Sequence, residues 1–253
     1  MLEVCVDSFE SVENALGGGA HRIELCSALS EGGLTPTIGL LKLVKQQFPE
    51  SKVFAMLRPH CRISFQMSDT DMETILTDMK IFQEYGVDGF VFGALTVMRD
   101  IDIERCEQVI KNADGLPVTF HRAFDMTVPA MRFETIEKIA SLGFQRILSS
   151  GFAGTAEIGL IYLTEMQQYI LDKNLNLSLM PGCGVTVINA ETILRTTGCK
   201  EFHASAKVQI IENIPKIVTD TDAILKEIEQ NSYSITDRKI VEQLVAIGKM
   251  YHS

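Results

Sequence analysis

The chain has 253 residues, of which 46% are hydrophobic and 22% charged, the composition of an ordinary globular protein. Its formal net charge of −10 argues against a nucleic-acid partner or an anionic membrane surface, though not against a small anion held locally. The longest apolar runs, such as residues 90–95, are far too short to cross a bilayer.

A strand is expected at once, over residues 2–6, with no basic flank or cleavage site before it, so a secretory signal is not expected. One pattern then recurs. A helix-like stretch closes at a glycine and an apolar strand begins within a few residues, at Gly19, Gly86, Gly143 and Gly198. Glycine suits the left-handed position that ends a helix. Each interval is long enough for a second strand–helix unit, and residues 52–58, 117–121 and 175–180 supply the strands, which makes eight. Ser68 and Asp71 read as a capping box, followed by Met72, Ile75, Met79 and Phe82 at helical spacing. Pro129 fits a first helical turn, and residues 188–195 read as a short helix. Residues 208–220 carry no assignable pattern, 222–229 suggest a short helix, and 237–250 read as a closing helix.

Strict strand–helix alternation predicts an α/β fold with a parallel sheet and right-handed crossovers. Eight units in this length predict one (β/α)8 barrel domain over residues 1–253, with an irregular stretch after strand eight. A doubly wound open sheet is the alternative, but no Gly-x-Gly-x-x-Gly follows the first strand.

Barrel function sits at the C-terminal strand ends, and alternation sorts each strand into helix-facing and barrel-facing residues. Val4, Ile23, Leu25, Ala55, Phe120, Leu148 and Phe202 fall in the helix-facing sets. The barrel-facing sets hold Glu3, Cys5, Glu24, Cys26, Arg58, Thr119, His121, Ser149, Met180, His203 and Ser205. So polar an interior must be mutually paired or serve a ligand, because unpaired buried charge is costly. Glu24 and Arg58 are the expected ion pair, and Glu24, His121 and His203 are the acid/base candidates. The plainer alternative is a set of satisfied core histidines in a paired network. Strand five ends in the polar run His121, Arg122, Asp125, and the turns Ser149-Ser150-Gly151 and Gly182-Cys183-Gly184 contain glycine, the latter leading toward a helix start. With Arg58, Thr119 and Ser205 these residues form the candidate set for an anionic substrate, since glycine lets backbone amides approach an anion. The six cysteines show no Cys-x-x-Cys spacing and read as reduced thiols of a cytoplasmic protein. Cys5 and Cys26, at equivalent positions in adjacent strands, suit a soft ion such as Cu(I) or two small core positions equally well.

The stretches Leu2-Glu3-Val4-Cys5-Val6-Asp7-Ser8, Arg22-Ile23-Glu24-Leu25-Cys26-Ser27 and Thr119-Phe120-His121-Arg122-Ala123-Phe124-Asp125 closely resemble the CutC family of copper homeostasis proteins. So do Met180-Pro181-Gly182-Cys183-Gly184 and Glu201-Phe202-His203-Ala204-Ser205-Ala206. The resemblance implies a TIM barrel, a cytosolic homo-oligomer (dimer or tetramer), a role in copper handling, and Cys5 and Cys26 as Cu(I) ligands. Two segments depart from the family pattern, the loop 59–66 and the stretch 208–231. Beside the copper role stands the reading of the inner face itself, an enzyme using acid/base chemistry on a small phosphorylated or carboxylated metabolite.

Overall fold

The computed structural model describes residues 1–211 and 232–251. Eight parallel strands form the expected barrel: β1 (Leu2–Val6), β2 (Arg22–Leu25), β3 (Val53–Met56), β4 (Gly89–Phe92), β5 (Val118–Phe120), β6 (Arg146–Ser149), β7 (Ser178–Pro181) and β8 (Phe202–Ala204). They pair in the order β7-β6-β5-β4-β3-β2-β1-β8, and contact between β7 and β8 leaves the ring nearly closed.

The helices α1 (Phe9–Gly17), α2 (Ile38–Gln47), α3 (Asp69–Glu84), α4 (Ile103–Asn112), α5 (Arg132–Leu142), α6 (Leu160–Asp172) and α7 (Ala190–Thr197) surround it. Their starts are chemically marked. Ser8, Thr37 and Asp102 accept hydrogen bonds from first-turn amides, and Ser68 with Asp71 forms the expected capping box. Pro129 opens a separate 3-10 turn (Pro129–Met131) ahead of α5 instead of starting that helix. The closing helix (Arg238–Met250), capped by Asp237, lies between α7 and α1 and takes the eighth position of the ring. Gly18 permits that approach, because a Cβ there would meet Val241 at 2.7 Å.

The segment after β8, expected to be irregular, begins and ends in order. Strands β9 (Lys207–Ile211) and β10 (Ser232–Thr236) pair antiparallel, with Lys207 opposite Thr236. Alternating Val208, Ile210 and Ile235 carry this pairing, but separation by a long insertion hid it from local pattern reading. The expected helix at 222–229 lies outside the described residues.

Between barrel and helices lies the main apolar layer, which includes Val4, Ile23, Leu25, Ala55, Phe120 and Phe202, as alternation requires. Strand β6 is the exception. Its ladder places Arg146 opposite both Thr119 and Ser178, and Leu148 opposite Met180, so Arg146 and Leu148 face inward. Ile147 joins the outer layer and Ser149 faces away from the barrel interior, the reverse of the expectation. An apolar Leu148 reads as helix-facing only if every inward position is taken as polar; here it packs inside the mouth.

Candidate functional site

The inner face is stacked in layers. At the bottom, Glu3 and Arg22, strand partners across β1 and β2, are joined by a hydrogen-bonded ion pair. Arg22 Nη2 also donates to Glu201 at 2.7 Å, and Arg146 Nε donates to the same carboxylate at 2.9 Å. Phe54 lies between the two guanidiniums, with its ring centre 4.8 Å from Arg22 and 5.2 Å from Arg146. Burial opposes the charge on Glu201, but Arg22 and Arg146 outweigh it and hold its carboxyl below the usual range. Arg22, Arg146 and Glu201 were not among the sequence candidates. For Arg22 and Glu201 the signal was present, since each lies two residues before an expected inward residue, Glu24 and His203. Arg146 shares its face with Leu148, which reads as outward, and so carried none.

One layer higher, β1, β2 and β8 bring Cys5, Glu24 and His203 together, with one ligand atom of each within 4.8 Å of the others. His203 Nε2 sits 2.8 Å from Glu24 Oε2 and 3.9 Å from Glu3 Oε1. Burial disfavours the imidazolium, but Cys5 and Glu24 more than compensate, so His203 is pushed well above its ordinary pKa. The Glu24–Arg58 pair expected from sequence does not form. Glu24 points across the barrel to His203, whereas Arg58 donates to the carbonyls of Glu31, Gly33 and Arg62. Strand β3 ends at Met56, and this side chain turns with the loop that follows.

Cys26 is inward and fully buried against Phe54, Met56 and Val91. It stands diagonal to Cys5, whose direct strand partner is Glu24. Burial first, then the charge of Glu24, pushes the Cys26 thiol well above its usual value.

The mouth is a cavity of about 850 Å³ lined by Cys5, Glu24, Arg58, His121, His203 and Ser205, among others. His121 Nδ1 accepts from the Ala123 amide at 3.2 Å. Burial, then the nearby Arg58 charge, lowers the His121 pKa to about 3, so the ring is neutral and its proton sits on Nε2. Gly93 makes room for it, as a Cβ there would stand 2.5 Å from His121 Nδ1.

The remaining candidates form a separate knot. Asp125 accepts from Arg122 Nε at 2.9 Å, from Ser149 Oγ, and from both the amide and the hydroxyl of Ser150. Ser149 Oγ in turn accepts from the Gly151 amide, and Arg122 Nη2 donates to Ser150. Arg122 and Asp125 reach the cavity wall; Ser149 is committed to fixing the turn. Gly184 lines the cavity, but the Gly182 amide donates to Ser149 O. The glycine turn does not run straight into a helix: Asn189 closes an intervening turn by accepting from the Thr186 amide, and α7 starts at Ala190. Thr119 is fully buried on the inner face, with its hydroxyl unpartnered among the described residues.

The CutC family profile matches residues 1–208. The chain belongs to the CutC family. It is 43% identical over 255 residues to a Drosophila melanogaster protein named copper homeostasis protein cutC homolog, covering 100% of this chain and 95% of that one. A human protein of the same name is 41% identical, with coverage of 98% and 89%. The crystal structure of the CutC protein from Streptococcus agalactiae superposes with a TM-score of 0.76 at 30% identity, over 81% of this chain and 98% of that one. Of the two segments that depart from the CutC pattern, the 59–66 loop touches the mouth through Ile63 and Phe65, and the 208–231 stretch begins one residue after Lys207, which also lines it.

Proposed function

We propose that this CutC family chain handles copper as Cu(I) cargo, as the names of its relatives suggest, at Cys5 and His203 with Glu24 beside them. The observation that carries this reading is the convergence of those three side chains within 4.8 Å at the floor of an open cavity. Sulfur and imidazole nitrogen are ligands that soft Cu(I) accepts, while Glu24 orients the imidazole and balances charge. Cys26 is the second thiol that the resemblance implies, and its high pKa means that the metal must displace its proton. Family membership also supports a cytoplasmic homo-oligomer, dimer or tetramer, and the exposed Ile63, Val97 and Met98 offer apolar contact surface. The test is an anaerobic Cu(I) titration against a competing chelator, with the parent chain beside Cys5→Ser, Cys26→Ser and His203→Ala. One ion per chain, lost in Cys5→Ser and His203→Ala, is expected. Tight binding indifferent to both overturns the reading, and the Cys26→Ser arm decides whether a second thiol takes part.

A second reading is favoured by the size of the mouth, since about 850 Å³ far exceeds what one ion needs. It supports a barrel enzyme acting on a small phosphorylated or carboxylated metabolite, with His203 and Glu24 moving a proton and neutral His121 donating a hydrogen bond. A thermal-shift screen of such metabolites on the metal-free chain tests it. Stabilisation by none of them ends this reading.

A further inference from the structure

Opposite the Cys5–Glu24–His203 cluster, the cavity wall carries two donors without acceptors. Arg58 and His121 are 5% and 4% exposed, and both line the mouth. Arg58 Nε has no hydrogen-bond partner among the described residues, and neither has His121 Nε2. The guanidinium is otherwise engaged on its far side: Nη1 donates to Glu31 O at 2.8 Å and Gly33 O at 3.2 Å. Among the described residues, Nη2 makes one long contact, 3.5 Å to Arg62 O. The edge left open is therefore Nε with Nη2, a fork that matches the two oxygens of a carboxylate. His121 cannot serve as an acceptor there, because Nδ1 is occupied by the Ala123 amide and Nε2 carries the proton. Buried donors left unmatched are costly, so a cationic fork beside a neutral N–H donor is a wall built for an anion.

A single ring covers both. The Phe65 ring lies 5.1 Å from the Arg58 guanidinium and 5.0 Å from the His121 ring, tilted 60° to the latter, on a backbone held at φ 53°. Its carbonyl accepts from the Leu95 amide, which anchors the backbone and leaves side-chain rotation as the motion that uncovers the donors. The wall carries one positive charge, matching a carboxylate monoanion better than a phosphate dianion. Ile63, Met126, Leu148, Val185 and Val187 complete an apolar surround that suits a hydrocarbon body.

We propose that Arg58 and His121 form a docking site for the carboxylate of a small, apolar-bodied organic acid, which enters as Phe65 turns aside. The proposal rests on the second reading only in taking the mouth as a metabolite cavity, and names the ligand class that reading leaves open. It involves no part of the copper cluster.

The experiment is a titration of the metal-free, 15N-histidine-labelled chain with sodium butyrate, following the His121 imidazole nitrogens by NMR. Butanamide serves as the neutral isostere and inorganic phosphate as the dianion. Butyrate is expected to shift His121 Nε2 to saturation while butanamide does not. Arg58→Lys keeps the charge but loses the fork, and is expected to weaken binding about tenfold or more. His121→Phe is expected to weaken it similarly when followed by calorimetry. Because the parent chain reports at His121 itself, misfolding of either variant does not rescue the proposal. A parent spectrum unmoved by butyrate, or equal shifts with butanamide, overturns it. If phosphate moves His121 and butyrate does not, the carboxylate class is wrong while the metabolite reading stands. If neither anion does, the docking site falls, and the thermal-shift screen separately decides the metabolite reading.

Discussion

His203 Nε2 lies 2.8 Å from Glu24 Oε2, two side chains 179 residues apart in sequence joined across β8, β1 and β2. Because the partners are buried and His203 is pushed well above its ordinary pKa, the pair is a charged contact whose worth depends on pH. A raised histidine pKa contributes stability that is fully present below the unfolded value, about 6.5, and is lost as pH rises through the folded value. Glu24→Gln keeps the shape and removes the charge. Urea unfolding of parent and variant from pH 5.5 to 9 is expected to show the largest gap at the acidic end, narrowing as pH rises. A gap constant across that range would mean that His203 is neutral in the folded chain.

The layer beneath makes a second prediction. Arg22 serves both Glu3 and Glu201, and all three are at most 6% exposed. Arg22→Met leaves Glu201 with Arg146 and Glu3 with no nearer cation than His203 at 3.9 Å, and is expected to cost about 3–5 kcal/mol in chemical denaturation. Adding Glu3→Gln to that variant should recover part of the loss, since it removes the charge left without its partner. If the double variant is no more stable than the single one, Glu3 is not stabilised through Arg22.

Much of this architecture was legible in the chain because alternation and punctuation are local. The four glycines that close helices all adopt positive φ, and the eight strands fall where the glycine spacing put them. Choices of partner were not legible. Glu24 had an arginine and a histidine within the same inner set, and only the barrel's curvature, which brings β8 beside β1, chose His203 over Arg58. The inward turn of Leu148 was lost for a related reason: one apolar residue in a polar face carries no sign of its direction until β5 and β7 set the register. Arg22 and Glu201 were missed by stopping the alternation one step short of the strand starts, and Arg146 because it shares its face with Leu148, which reads as outward.

Gly93 and His121 form a third test. Gly93 has no positive φ, so replacing it by alanine should stabilise slightly through the unfolded state if space allowed. Space does not allow it, because the new Cβ would stand 2.5 Å from His121 Nδ1 and 3.2 Å from the Ala123 Cβ. Gly93→Ala is therefore expected to destabilise by about 1–3 kcal/mol, the range for overpacking. In a His121→Ala background most of that loss should vanish. Equal losses in both backgrounds would assign the cost to the Ala123 contact or to the backbone.

The acid side of the stability profile belongs to His121. Burial first and the Arg58 charge second lower its pKa to about 3, and its Nδ1 is committed to the Ala123 amide. A lowered histidine pKa has the opposite sign from that of His203: stability is present above the unfolded value, about 6.5, and is lost as pH falls toward the folded one. The unfolded chain then takes up a proton that the folded chain refuses. At pH 5 the refusal amounts to about 2 kcal/mol, from 1.5 units of pH at 1.36 kcal/mol each. His121→Phe fills a similar volume without titrating. Its stability relative to the parent is expected to improve steadily from pH 6.5 down to about 4, where the carboxylates common to both chains titrate alike. Parallel profiles for the two chains would mean that His121 takes up its proton in the fold, which would require Nδ1 to release the Ala123 amide.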